Sequence, residues 1–149
     1  MFKTNKIEKY LDSKKYFGVF LLRMFIGTRL LYGVMDSILS WERMIEFSNF
    51  LQNNDFPFPT ISAMTSVYVQ FFGAILILIG YRIRFASFLL LINFLVALVF
   101  VHIRAGDTIE GMTAALAMLF GCLTFIFTGA EKISFENHMK SRNKWRTIT

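Results

Sequence analysis

Residues 60–103 read TISAMTSVYVQFFGAILILIGYRIRFASFLLLINFLVALVFVHI. The only charged side chains in this stretch are Arg82 and Arg84. One helix needs roughly 20 apolar residues to cross the hydrocarbon core of a bilayer. The stretch is about twice that long, so it reads as two spans, 60–81 and 84–103, joined by the Arg82-Ile83-Arg84 turn. Upstream, residues 16–39 form a further apolar run, and downstream residues 108–128 form another. The expected fold is therefore an all-α membrane protein, a bundle of four transmembrane helices.

Composition supports this reading. Of the 149 residues, 55% are apolar and 17% are charged. A soluble domain carries roughly 25% charged residues, and a chain of this length cannot hide so much apolar surface from water. A soluble enzyme and a disordered chain are both disfavoured. The N-terminal run is too long for the apolar region of a cleavable signal and carries Arg23 and Arg29, so it is expected to remain as the first span.

The net charge of +6 then needs a location. Lys3, Lys6, Lys9, Lys14 and Lys15 precede the first span, Arg82 and Arg84 lie between the second and third, and Lys132, Lys140, Arg142, Lys144 and Arg146 follow the fourth. With four spans, all three groups fall on one side of the membrane. The other side holds Arg43 and Arg104, with acidic residues Asp36, Glu42, Glu46, Asp55, Asp107 and Glu110. The positive-inside rule places both termini in the cytoplasm. The basic segment 1–15 and tail 132–149 read as topology determinants resting on anionic headgroups, at about 1 kcal/mol per Lys or Arg, rather than as a nucleic-acid interface. Helical spacing of Phe2, Ile7, Tyr10 and Leu11 suggests a segment lying flat on the inner surface, with Trp145 anchoring the tail. Between the first two spans, residues 41–59 read WERMIEFSNFLQNNDFPFP. Met44, Phe47 and Leu51 share a helical face, so a short interfacial helix followed by a proline-punctuated strap is expected on the outer surface.

Polar groups inside the hydrocarbon are costly and flag function by default. In the first span Arg29, Tyr32, Gly33 and Asp36 share one face, while Arg23 sits elsewhere, near enough to the inner surface to snorkel. Gln70 lies in the outer half of the second span. The third span is almost wholly apolar until Asn93 and ends in His102, with Arg104, Asp107 and Glu110 following. Arg29, Tyr32, Asp36, Gln70, His102, Arg104 and Glu110 thus form a candidate polar site near the outer surface. A competing reading has Arg29 and Arg104 neutralising Asp36, Asp107 and Glu110 as structural ion pairs. Small residues at helical spacing, namely Ala63, Ser66, Gly73 and Ala74 in the second span and Ala114, Ala117 and Gly121 in the fourth, suit close helix packing. The lone Cys122 excludes an intrachain disulfide and dithiol exchange.

The order of these pieces resembles the DoxX family of small four-span membrane proteins. LLRMFIGTRLLYGVMDSI carries Arg23, Gly27 and Gly33 of the family's opening helix, and FPFP sits at its outer loop. VQFFGAILILIGYRIR supplies Gly73, Gly80 and Arg84, an apolar helix ends in His102 with Gly106 and Glu110 after it, and TGAEKISFE resembles the family's exit and tail. Gln70 stands where many relatives have a glutamate. The resemblance implies an accessory or quinone-interacting subunit of a membrane oxidoreductase system in the bacterial cytoplasmic (inner) membrane.

The residues constrain that expectation. His102 and His138 fall on opposite sides, so one chain cannot build a bis-His haem, and no iron–sulfur cysteine set or dinucleotide fingerprint is present. No metal site is expected, and quinone is the expected cofactor. Expected partners are the bilayer, a membrane or extracytoplasmic redox protein and further copies of the chain in a homo-oligomer. The alternative function is a non-catalytic, chaperone-like membrane scaffold. Solute transport ranks below it, because four spans without repeats offer little for alternating access.

Overall fold

The computed structural model describes residues 6–129, 134–137 and 139. Phe2, Lys3, Lys132, His138, Lys140, Arg142, Lys144, Trp145 and Arg146 lie outside these residues. Among the described residues, five α-helices and one π-helical segment make up the architecture: α1 (Lys6–Leu39), α2 (Trp41–Asn53), α3 (Pro59–Ile79), α4 (Ile83–Ala97) continued by the π-helical turn Leu98–Ile103, and α5 (Ile109–Thr128). Four of the helical stretches are long and apolar enough to cross a membrane: α1, α3, α4 with its π turn, and α5.

The first helix starts earlier than the apolar run suggests. It is 34 residues long, about 50 Å at 1.5 Å per residue, against about 30 Å of hydrocarbon. Residues 6–15 contain no proline and several lysines, good helix formers, so the helix continues through them. From Lys6 onward the N-terminal segment therefore prolongs the axis of α1 instead of forming a separate flat helix.

The helices alternate in direction, so the bundle has two ends. At one end, here the terminal end, the α3–α4 turn and the end of α5 lie beside α1 near Arg23, and the exposed start of α1 projects beyond them. At the other, the α2 end, α2 and the π turn lead into their neighbours. The α3–α4 turn works because Gly80 takes a left-handed φ of 79°. The Gly80 and Tyr81 amides both donate to the Leu76 carbonyl (2.9 and 3.0 Å), closing the helix. A Cβ on Gly80 would lie 2.9 Å from both Arg23 Nη2 and Ser134 Cβ. The tail segment docks on the same turn. Phe135 meets Tyr81 edge-on at 6.4 Å, the Glu136 amide donates to the Gly80 carbonyl, and the Arg82 amide donates to Glu136 Oε2. Arg84 lies over Gly129, whose φ of 68° ends α5, and its charge suits the negative end of the α5 dipole.

Arg23 is only 2% exposed. It does not snorkel to the membrane surface; it donates to the Leu78 carbonyl at 3.4 Å and stacks on Phe20. Helix approach is closest where glycines face side chains. Gly27 of α1 admits Leu78 of α3, Gly73 of α3 admits Leu90 of α4, and Gly121 of α5 admits Ile26 of α1. The main core, including Ile26, Leu30, Ile77, Leu90 and Phe125, fills the bundle. A second cluster, Val34, Met44, Leu51, Ala63 and Val67, fixes α2 against α1 and α3. Ser48 and Thr60 hydroxyls, 2.9 Å apart, pin the same junction.

The α5 stripe departs from the expected role. Gly121 is buried, but Ala114 and Ala117 are exposed. α5 packs along α4 and touches α1 only briefly, so that side of α5 is left open toward the α2 end. In α4, the fully buried Ser87 hydroxyl has no hydrogen-bond partner among the described residues. An unsatisfied buried hydroxyl costs about 1–3 kcal/mol. Ser87→Ala is therefore expected to raise stability by about 1 kcal/mol, read as a higher unfolding midpoint in a fixed detergent; a lower midpoint would refute it.

Candidate functional site: a cavity beneath the second helix

A cavity of about 470 Å³ lies between α2, α3 and α4 with its π turn. Its size falls within the roughly 300–1,000 Å³ of small-molecule sites. The walls are mainly apolar: Phe47, Phe50 and Phe56 come from α2 and its strap, Val69 from α3, Val96 and Ala97 from α4. Ile61 and Ile92 line it and are 66% and 45% exposed, so it opens sideways between α3 and α4 toward lipid.

Polar groups are few and placed at intervals. Ser62, Thr65 and Ser66 line the α3 side, Asn93 and His102 the α4 side. Ser62 donates to the Pro57 carbonyl at 2.9 Å, and Gln70 donates to Ser66 Oγ at 3.1 Å. The Asn93 side chain lines the cavity and makes no hydrogen bond to the described residues, so its carbonyl oxygen and its NH2 group are both available to a ligand. It sits about two and a half helical turns deeper than His102.

The π turn sets the direction of His102. A π-helix inserts an extra residue per turn and often occurs at functional sites. Here it turns Val101 and His102 to the cavity just before the chain reverses. Gly106, with φ 69°, makes the reversal, and the Asp107 amide donates to the His102 carbonyl at 3.0 Å. This brings Asp107 Oδ2 to 2.7 Å from His102 Nδ1. An ionised carboxylate only accepts, so Nδ1 carries the proton and Nε2 is left for a ligand. The same bond fixes the plane of the imidazole ring.

The other expected site residues are distributed differently. Gln70 supports the cavity through Ser66 without lining it. Arg29, Tyr32 and Asp36 are exposed on α1, which contributes nothing to the cavity. The reason is Gly27: α1 approaches α3 through the side bearing Arg23, Gly27, Leu30 and Val34, which turns the Arg29 side outward. Arg104 is exposed and stacks on Phe100 at 5.8 Å. Glu110 is exposed in the first turn of α5, where a carboxylate suits the positive helix end. The expected ion pairs of Arg29 and Arg104 with Asp36, Asp107 and Glu110 do not form. Among the described residues Arg43 and Glu46 form an ion pair, and His102 and Asp107 form a hydrogen-bonded pair that is ionic only when the imidazole is protonated. Asn93 and the α2 aromatics were not among the expected site residues. Asn93 had a signal, being the one side-chain amide in the third span; the aromatics had none, since only the folding-back of α2 brings them to the cavity.

A helical bundle with four spans and a laterally open cavity defines a small multi-pass membrane protein. Within that class, the DoxX family model matches residues 18–103, well over half of the chain, and the protein belongs to the DoxX family. The matched stretch runs from the middle of α1 to the end of the π turn and so contains every residue named above as lining the cavity. No curated protein and no solved structure matches the chain.

Proposed function

We propose that the protein is a quinone-interacting, accessory subunit of a membrane oxidoreductase system, and that the quinone occupies the cavity between α2, α3 and α4. The observation that carries this reading is an apolar, laterally open cavity with the His102–Asp107 pair at its α2 end. A quinone needs both features: an apolar slot for its isoprenoid tail and a hydrogen-bonding group for a ring carbonyl. Nε2 of His102 provides the group. As imidazolium it donates to a carbonyl oxygen, and as neutral imidazole it accepts a hydroxyl proton from the reduced ring. Asp107 orients it in both states. The lateral opening lets the ligand enter from the bilayer without crossing water.

The membrane is proposed to be the bacterial cytoplasmic membrane, with both termini inside. Lys6, Lys9, Lys14, Lys15, Arg82 and Arg84 gather at the terminal end, while Arg43 and Arg104 are the basic residues of the α2 end. The cavity then lies near the outer surface, within reach of an extracytoplasmic redox partner. α2 rests at the outer interface.

The test is purification from native membranes followed by solvent extraction. Quinone is expected at near-stoichiometric amounts with the wild type. Ala97→Trp, which fills the cavity from the α4 wall, is expected to lower it at least tenfold while leaving the yield of folded protein within twofold. Wild-type protein that carries no quinone and binds none on addition would sink the reading.

A further inference from the structure

Asn93 and His102 are the two polar side chains that α4 and its π turn give the cavity, and they stand nine residues apart. At 1.5 Å per residue their Cα atoms lie about 13 Å apart along the axis. Helix side chains lean toward the N-terminus, and the imidazole is the longer of the two. The His102 ring therefore reaches back toward Asn93 and narrows the gap. Its Nδ1 faces Asp107 Oδ2 at 2.7 Å, which turns Nε2 the other way, into the cavity. Between the two polar tips the wall is apolar, formed by Val96, Ala97 and Val101. Ala97 is small, so a flat ring can lie against this wall.

That gap suits one ligand geometry. The two oxygens of a 1,4-quinone lie about 5 Å apart, and with a hydrogen bond of about 2.9 Å at each end they fit between donors about 11 Å apart. The oxygens of a 1,2-quinone point the same way and reach only one of the two donors. The α3 wall offers no better partner for the inner oxygen. Ser62 already donates to the Pro57 carbonyl. Gly73 of α3 meets Leu90 of the antiparallel α4. Ser66 therefore lies level with Ala97, midway between the two tips. The opening past Ile61 and Ile92 agrees with this placement. A quinone's tail leaves the ring to the side of its carbonyl axis, so an axis along α4 sends the tail out between α3 and α4.

We infer that Asn93 is the second anchor of the quinone, and that the spacing of Asn93 and His102 selects 1,4-quinones over 1,2-quinones. The Asn93 NH2 group donates to the inner carbonyl, while the imidazolium Nε2 of His102 donates to the outer one. This role rests on the quinone reading above, and adds to it a residue and an isomer preference that the reading itself does not require.

The test uses full-length protein in detergent, stripped of bound quinone, at mildly acidic pH, which favours the imidazolium. The probe is 2,3-dimethyl-1,4-naphthoquinone carrying 13C at both carbonyls. Its two carbonyls are equivalent when free, so any difference between them when bound comes from the protein. On wild-type protein both carbonyl stretches are expected below their position in hydrocarbon solvent, because both oxygens accept hydrogen bonds. With Asn93→Leu, which suits an apolar span, one stretch is expected to return to the hydrocarbon position while the other stays. Affinity is expected to fall about tenfold, the worth of one hydrogen bond. The isomer 3,4-dimethyl-1,2-naphthoquinone is expected to bind the wild type about tenfold more weakly than the 1,4 probe and to lose less than twofold on Asn93→Leu. Three results would overturn the role of Asn93: a wild-type spectrum with one stretch at the hydrocarbon position, an Asn93→Leu affinity within twofold of wild type, or equal binding of the two isomers. The wild-type spectrum and the isomer comparison need no variant to fold. A wild type that binds neither probe nor any native quinone would instead sink the quinone reading, and the role of Asn93 with it.

Discussion

Replacing His102 by alanine is expected to lower the quinone retained on purification by roughly 10–100-fold. One hydrogen bond to a charged or polar ligand group is worth about 1–3 kcal/mol, and each 1.4 kcal/mol is a factor of ten. His102 is the cavity's imidazole, and its Nε2 is unused by the protein. The partner variant separates two roles. Asp107→Asn keeps an acceptor for Nδ1–H but loses the charge that faces the ring, so a loss of a few-fold is expected. Asp107→Ala removes the acceptor as well and is expected to approach the His102→Ala result. Both side chains are partly exposed at the end of the bundle, so the fold is expected to change by no more than about 0.5 kcal/mol. Quinone extracted per mole of protein measures the first effect, and the thermal midpoint checks the second. Equal retention in wild type and His102→Ala would remove His102 from the site.

Gly27→Leu is expected to produce the largest loss of stability, at least about 3 kcal/mol, the upper part of the overpacking range. A Cβ on Gly27 already meets Leu78 Cγ and Cδ2 and lies 3.4 Å from the Ala74 carbonyl oxygen. A leucine adds three further carbons with nowhere to go, and α1 must separate from α3. The backbone carbonyl cannot yield as a side chain can, so Leu78→Ala in the same chain is expected to recover only part of the loss. Gly111→Ala is the matched control: its nearest neighbour would be Asp107 Cβ at an ordinary 3.6 Å. Unfolding in graded SDS, followed by loss of helical signal, would measure all three. A Gly27→Leu midpoint equal to the control's would show that α1 and α3 approach less closely than the structure has them.

The glycines explain why part of the fold can be read directly and part cannot. Gly27, Gly73 and Gly80 stand out in the sequence as small residues in apolar spans, and each lies at a close approach or a left-handed turn. Ala114 and Ala117 have the same local signature, yet they are exposed. Spacing identifies a face of a helix but not the helix that will meet it. The same limit applies to charge. Arg23 and Arg29 are six residues apart in one span; one is buried beneath the α3–α4 turn and the other faces outward. Only their rotation relative to Gly27 separates them.

The sequence alone determined the number of spans, the turn at Arg82-Ile83-Arg84 and the family, because these follow from local hydropathy and from residue order. It also marked His102 as the polar end of an apolar helix. The tertiary structure decided which polar groups share a site. It gathered His102, Asp107 and Asn93 with the aromatic side chains of α2, through a π turn and a chain reversal that hydropathy does not encode. It also set Arg29, Tyr32 and Asp36 apart from that site, since helix rotation is fixed by which small residues admit a neighbour's side chains. Apolar length is a property of each segment, whereas the facing of its few polar residues is a property of the contact between segments.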